Sequence, residues 1–276
     1  MQIDQRYLQI ISLLMLLAVG YFSFEIGFTP NHLIASYFSV LLAQVLIEKL
    51  FLKKNYSQIN YKSSIITGTS LTLLLRTSDY YYSLLAGFLA ITSKFIFSTK
   101  DKSGNYDHIF NPANFACAVL ILIPNILGSQ KIVWISSGQW GTDAIISIFV
   151  IMSGLLVTVK SYRSDITLAF IIFTSCFLFI RALYLSDPFT IPFHQLLNGS
   201  ILIFSFFMIS DPRSTPRSML GRLIFAFLVS IGFYLGKFVY FDTNSLILSL
   251  FFVSFLTPFI NYFFQGNVFS WRKVSL

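Results

Sequence analysis

Charge interrupts this chain so rarely that only a fold surrounded by lipid can accommodate it. Apolar runs that could cross a bilayer as helices recur at 8–24, 31–47, 63–76, 80–98, 112–127, 142–159, 165–185, 193–210, 218–239 and 244–264. A crossing needs about 20 residues. Only 11% of the residues are charged and 55% are hydrophobic, whereas soluble domains carry about a quarter charged residues. The chain therefore reads as an all-α polytopic membrane protein. One transmembrane domain over 1–276, with about ten helices, leaves no room for a large soluble appendage. The run after MQIDQRYLQI lacks a small-residue cleavage site and reads as the first span, not a leader. The third run is too short to cross and holds Thr67, Gly68, Thr69, Ser70 and Thr72. Such a segment is expected to be a broken or half-length helix, tolerated where protein or a cavity surrounds it.

The basic residues test this count. With the N-terminus in the cytoplasm, 15 of the 19 Lys and Arg residues fall in cytoplasmic segments. Arg76, Lys131, Arg181 and Lys237 are the remainder. Ten spans with both termini inside satisfy the positive-inside rule, loop by loop. The same rule accounts for the net charge of +8, so no nucleic-acid partner is expected.

Two short segments resemble each other. IITGTSL (65–71) and LLNGSIL (196–202) share two aliphatics, a small polar residue, a glycine and a hydroxyl residue. They lie five spans apart and so cross in opposite senses. A five-plus-five inverted repeat predicts such a relation, with halves of about 1–127 and 142–264. Two glycine-mediated helix contacts would leave the same trace.

Two polar junctions stand out, both on the cytoplasmic side by this count. In FFMISDPRSTPR (206–217) an apolar run stops at an acid, two prolines and two arginines. In HIFNPANFACAV (108–119), Asn111 can cap a helix whose first residue is Pro112, where a missing N–H costs nothing. Asn111 and Asn114 then present amides at a positive helix end, which suits the electron-rich edge of a flat polar ligand. Asp211 and Arg213 can approach from the eighth span. Capping plus a membrane exit, with Arg213 and Arg217 as topology anchors, is the competing reading.

In order and spacing, ITGTSLTLLLR, IFNPANFA and FFMISDPRSTP resemble the membrane-subunit family of the D subunit of Rnf electron-transport complexes. The B subunit of the sodium-pumping NADH:quinone oxidoreductase belongs to that family too. The similarity covers roughly residues 60–265. It implies a bacterial cytoplasmic (inner) membrane subunit that relays electrons with partner subunits. It also implies a non-covalent flavin, riboflavin or FMN, near the Asn-Pro-Ala and Asp-Pro elements. By motif, Asn111, Asn114 and Asp211 are the expected contacts to the isoalloxazine edge, with Thr67 and Gly68 as neighbours. The redox chemistry would be the cofactor's, tuned by hydrogen bonds and dryness. The chain is short for the family and reads as a stand-alone relative.

One departure matters. Full-length relatives attach FMN covalently to a threonine in Ser-Gly-Ala-Thr. Here the corresponding outer loop, WISSGQWGTD (134–143), follows Ser-Gly with Gln139, Trp140 and Gly141. Covalent FMN at Thr142 is therefore not expected, and Trp134 and Trp140 read as interfacial anchors.

The rest of the chain excludes several chemistries. All 11 acids fall near span ends, so no mid-membrane carboxylate marks an ion-coupling site. His32, His108 and His194 are scattered in separate loops, and no metal is expected. His108, three residues before Asn111, reads as a solvated loop histidine. Cys117 and Cys176 each sit alone in an apolar run, without the spacing of a zinc or iron–sulfur site, and read as buried packing residues. No Ser/His/Asp or Cys/His cluster supports hydrolysis. A small-solute channel or transporter lined by the hydroxyl-rich third and eighth spans, or a scaffold without cofactor, remains the alternative to electron transfer.

Overall fold

The computed structural model describes residues 2–23, 29–77, 79–100, 106–126, 133–135, 144–267, 269 and 273–275. The protein is mostly helical, 77%. Helices occupy the positions of the apolar runs: α1 (Gln5–Ser23), α2 (Pro30–Leu46), α3 (Tyr61–Leu74), α4 (Tyr80–Ile96), α5 (Pro112–Ile126), α6 (Ala144–Lys160) and α7 (Ser164–Leu185). They continue with α8 (Thr190–Leu196), α9 (Gly199–Ile203), α10 (Met219–Phe238), α11 (Ser245–Ser254) and α12 (Thr257–Phe263). Short strands lie between and beyond them: β1 (Gln2–Asp4), β2 (Leu75–Thr77), β3 (Ser98–Lys100), β4 (Tyr106–His108), β5 (Val133–Ile135) and β6 (Lys273–Ser275).

Among the described residues, Pro30–Phe51, Ser164–Leu185 and Met219–Phe238 are long and apolar enough to cross a membrane. Two bent pairs raise that number to five if each is one span, both bent by 48°: α8 with Gly199–Met208, and α11 with α12. The eighth and tenth runs are thus each interrupted, which an unbroken apolar pattern does not reveal.

The chain divides into two compact units, one formed by 1–98, 112–136 and 271–276, the other by 99–111 and 137–270. In the first unit, α2 lies against α3 and α4, and α4 against α5. The α2–α3 pairing is antiparallel and polar at intervals. Tyr37 Oη meets Thr69 Oγ1 at 2.6 Å. A Cβ on Gly68 would lie 3.1 Å from Val40 Cγ2, and the Asn60 N–H donates to Glu48 Oε2 at 2.8 Å. The third run is short, as expected. Its helix ends at Leu74 and the chain becomes strand β2, paired with β5. Arg76 turns back and donates to the carbonyls of Thr72, at 2.8 Å, and Leu73, at 3.3 Å, satisfying acceptors that a helix end leaves open. Strands β1 and β6 pair antiparallel, a link between the chain's two ends that no local pattern signals.

In the second unit, α7 and α10 run parallel. Arg222 Nε donates to Asp165 Oδ2 at 2.7 Å near their starts, and Thr174 Oγ1 donates to Ser230 Oγ at 3.2 Å midway. Helix α10 packs on α11 through glycines. A Cβ on Gly232 would lie 2.9 Å from Ser249 Cβ, and one on Gly236 would lie 2.7 Å from Ser245 Cβ. Small residues four apart on both helices let the backbones approach, the common device of helix association in lipid.

Gly68 and Gly199 stand at equivalent places in the two similar segments but not in equivalent structure. Gly68 lies inside α3, whereas Gly199 opens α9, where Asn198 caps the new helix by accepting from the Ser200 N–H at 2.9 Å. Cys117 is buried as expected, but Cys176 is exposed on α7. In lipid an outward thiol on an apolar helix loses nothing by leaving the core.

Candidate functional site

The polar stretch after Met208 folds into a hub within the second unit. Residues Phe204–Met208 form a π-helical turn, buried throughout. The chain then turns at Asp211, whose backbone N–H donates to Met208 O at 3.3 Å. Asp211 accepts from Ser214 Oγ at 3.0 Å on Oδ2 and from the Arg213 N–H at 3.3 Å on Oδ1. His108 Nε2 meets the same Oδ2 at 3.0 Å. Asn111 Nδ2 donates to Met208 O at 3.3 Å. The two junctions singled out in the sequence, about 100 residues apart, are therefore in contact. His108 is only 11% exposed, not a solvated loop residue, because β4 carries it against the turn.

Three further arginines complete the hub. Arg163, just ahead of α7, is buried and donates through Nε to Thr215 Oγ1 and through Nη2 to Pro212 O, both at 3.1 Å. Arg217 Nη2 pairs with Asp107 Oδ2 at 3.0 Å. Arg222 Nη1 donates to the Arg217 carbonyl at 2.7 Å. Arg217 is thus more than a topology anchor: its guanidinium holds a buried acid and its N–H donates to Asn261 Oδ1 at 2.8 Å. Among the described residues, three carboxylates (Asp107, Asp165 and Asp211) face four guanidiniums (Arg163, Arg213, Arg217 and Arg222), an excess of one positive charge. Among the described residues, two buried atoms of the hub have no hydrogen-bond partner, Asp107 Oδ1 and Arg213 Nε. Such atoms cost about 1–3 kcal/mol each when left unsatisfied.

Asp107 and Asp211 are shifted in opposite directions. Burial raises Asp107 despite the nearby Arg217 charge. Burial also works to raise Asp211, but the charge and hydrogen bond of His108, the Arg213 N–H and the Ser214 hydroxyl outweigh it and hold Asp211 below its ordinary 3.8. A depressed carboxyl stabilises the fold above its unfolded pKa and loses that contribution as pH falls through the folded value. Between pH 6 and about pH 3, the wild type should therefore lose more Tm than Asp211→Asn. Parallel acid profiles for the two proteins would contradict this.

The remaining expected site residues belong to the first unit. Thr67 Oγ1 donates to Ser63 O at 2.9 Å and accepts from Lys94 Nζ at 2.9 Å. Gly68 faces Val40 and Tyr37. Asn114 is fully buried in α5, whose first residue is Pro112, as the sequence indicates. Asn111 and Asp211 are brought together in the second unit; Asn114, Thr67 and Gly68 are described in the first. Residues 136–143, with Gln139, Trp140 and Thr142, lie outside the described residues, and the expectation of no covalent flavin there lies outside them too. Among the described residues, no three His, Cys, Asp or Glu side chains could hold a metal ion.

Sequence reasoning missed Arg163, Asp107 and His108 as parts of the hub. The available signal was that all three, with Arg217 and Arg222, fall on one expected side of the membrane.

Comparison with curated proteins finds no match. A family model does match, over residues 130–270. That stretch runs from β5 through α12 and includes Arg163, Asp165 and the hub segment 211–222. It covers just over half of the 276 residues, and on that extent the chain belongs to the NQR2, RnfD, RnfE family, membrane subunits of multi-subunit electron-transport complexes.

Proposed function

We infer that this chain is a flavin-carrying electron-relay subunit working beside redox partner subunits in a bacterial cytoplasmic membrane. In this reading both termini are cytoplasmic, and the halves 1–127 and 142–264 form one domain of ten helical segments that enter the bilayer in opposite senses. The observation that carries the cofactor is the pair of buried, unpartnered atoms in the hub. Asp107 Oδ1 is an acceptor and Arg213 Nε a donor. The pyrimidine edge of an isoalloxazine alternates carbonyl acceptors with an imide N–H donor, so it complements that pair. The excess guanidinium charge favours a ring that gains negative charge on reduction.

The chain's own residues have defined tasks. Arg213 and Asp107 bind the edge. Asp211, held by His108 and Ser214, fixes the turn that carries Arg213. Asn111 steadies the start of that turn through Met208 O. Arg163 and the buried Phe204–Met208 segment keep water out. When bound, the flavin would supply one- and two-electron redox chemistry.

The test is the visible spectrum of the detergent-purified protein, followed by acid precipitation. A flavin band that leaves with the supernatant is expected. A band retained in the pellet would mean covalent attachment. A colourless, monodisperse sample would overturn the flavin and favour a solute path. Arg213→Gln and Asp107→Asn should each lower flavin content about tenfold, since hydrogen bonds to charged groups contribute about 1.5–3 kcal/mol. Full flavin content in both would remove the hub from the site.

A further inference from the structure

The far ends of α7 and α10 carry a second group of charges that the hub does not use. Asp165 and Arg181 are sixteen residues apart on α7, about 24 Å along the axis, so Arg181 lies near the other boundary of a hydrocarbon core of about 30 Å. Lys237, in the last turn of α10, comes to the same level because the helices run parallel. Both cations lie on one ring: Arg181 Cζ is 4.4 Å and Lys237 Nζ 5.7 Å from the centroid of Phe238. Arg181 is paired with a carboxylate, Asp187, 3.6 Å from its Nη1. Among the described residues, Lys237 has no carboxylate within ion-pairing distance.

Below these cations a run of rings descends the α7–α10 face. Phe238 contacts Tyr234 at 5.2 Å, Tyr234 contacts Phe177 at 5.7 Å, Phe177 contacts Phe227 at 6.1 Å, and Phe227 contacts Phe173 at 5.2 Å, centroid to centroid. The face is only partly covered by protein, and Phe227 is 41% exposed. Two of the four basic residues that the charge rule assigns to the outer side meet here, on a side where that rule disfavours them.

We propose that this face binds one anionic phospholipid, its phosphate between Arg181 and Lys237 and an acyl chain along the rings from Phe238 to Phe173. Arg181 is already paired with Asp187, whereas Lys237 makes no ion pair among the described residues, so its charge is available for the phosphate to neutralise. The aromatic run offers an apolar surface that starts directly beneath it. The site rests on neither the flavin nor the hub.

The experiment compares thermal unfolding of the full chain in nanodiscs of phosphatidylcholine alone with nanodiscs containing phosphatidylglycerol. Phosphatidylglycerol should raise the wild-type Tm. Arg181→Gln/Lys237→Gln should lose the rise, measured against its own Tm in phosphatidylcholine alone. Each basic residue near a lipid surface contributes about fivefold in affinity, so the double variant should also retain about twenty-fivefold less phosphatidylglycerol by native mass spectrometry. Asp187→Asn, which removes the competing carboxylate, should retain more. No rise in the wild type, or an equal rise and equal retention in the double variant, would overturn the proposal.

Discussion

Replacing Arg163 with methionine should lower the stability of the folded chain by about 2–4 kcal/mol, seen as a fall of about 5–10 °C in Tm in detergent. Arg163 is 5% exposed and donates to Thr215, Pro212 and Tyr162. Methionine matches much of its volume but none of its donors. The Pro212 carbonyl and the Thr215 hydroxyl would then lose a charge-assisted partner in a buried setting. Burial, then the neighbouring Arg222 charge, lowers the Arg163 pKa to about 10, so the side chain stays charged at neutral pH and the bonds it makes are of the stronger kind. Arg163→Lys should recover little, because one ammonium cannot span both Thr215 and Pro212 in the fork geometry of a guanidinium. An unchanged Tm for the methionine variant would mean that the turn at 211–217 holds its shape without this clamp.

The second large effect is expected where α10 meets α11. Gly232→Leu and Gly236→Leu should each cost about 1–3 kcal/mol, and the pair together should impair insertion or folding outright. The reason is distance. Even a single Cβ at Gly236 would lie 2.7 Å from Ser245 Cβ, an atom that the backbone fixes in place, so no rotamer change relieves the clash. In lipid no hydrophobic gain compensates for the lost approach. The control is an enlargement at an exposed position of the same helix, Leu235→Phe, which should leave Tm unchanged. If both glycine variants melt with the wild type, α11 does not pack on α10 through these residues.

The hub shows why part of the site was legible and part was not. Asp211 and Asn111 stand out in the sequence because a polar residue beside an apolar run is rare and its position along the chain is plain. Their contact is less plain. His108 and Asp211 are separated by about a hundred residues, and only the folding of β4 against the turn brings Nε2 to the carboxylate. Arg163 and Arg217 look like residues that orient a membrane protein. Whether such an arginine faces water or closes a buried network depends on which neighbours the fold supplies.

Helix positions are legible in the residues themselves, because in lipid the backbone must satisfy its own hydrogen bonds and an apolar run has few other options. The shortness of the third helix is equally legible, since a stretch of fourteen residues, Tyr61–Leu74, cannot cover the hydrocarbon whatever its partners. Pro112 opens a helix for reasons just as local. The 48° breaks, the pairing of the first and last strands, and the convergence of His108, Arg163 and Arg217 on the segment after Met208 are settled elsewhere, by contacts between residues far apart in the chain. Backbone hydrogen bonding acts within a few residues, so its outcome can be read along the chain, whereas packing and ion pairing act between elements and take effect only once the elements are in place.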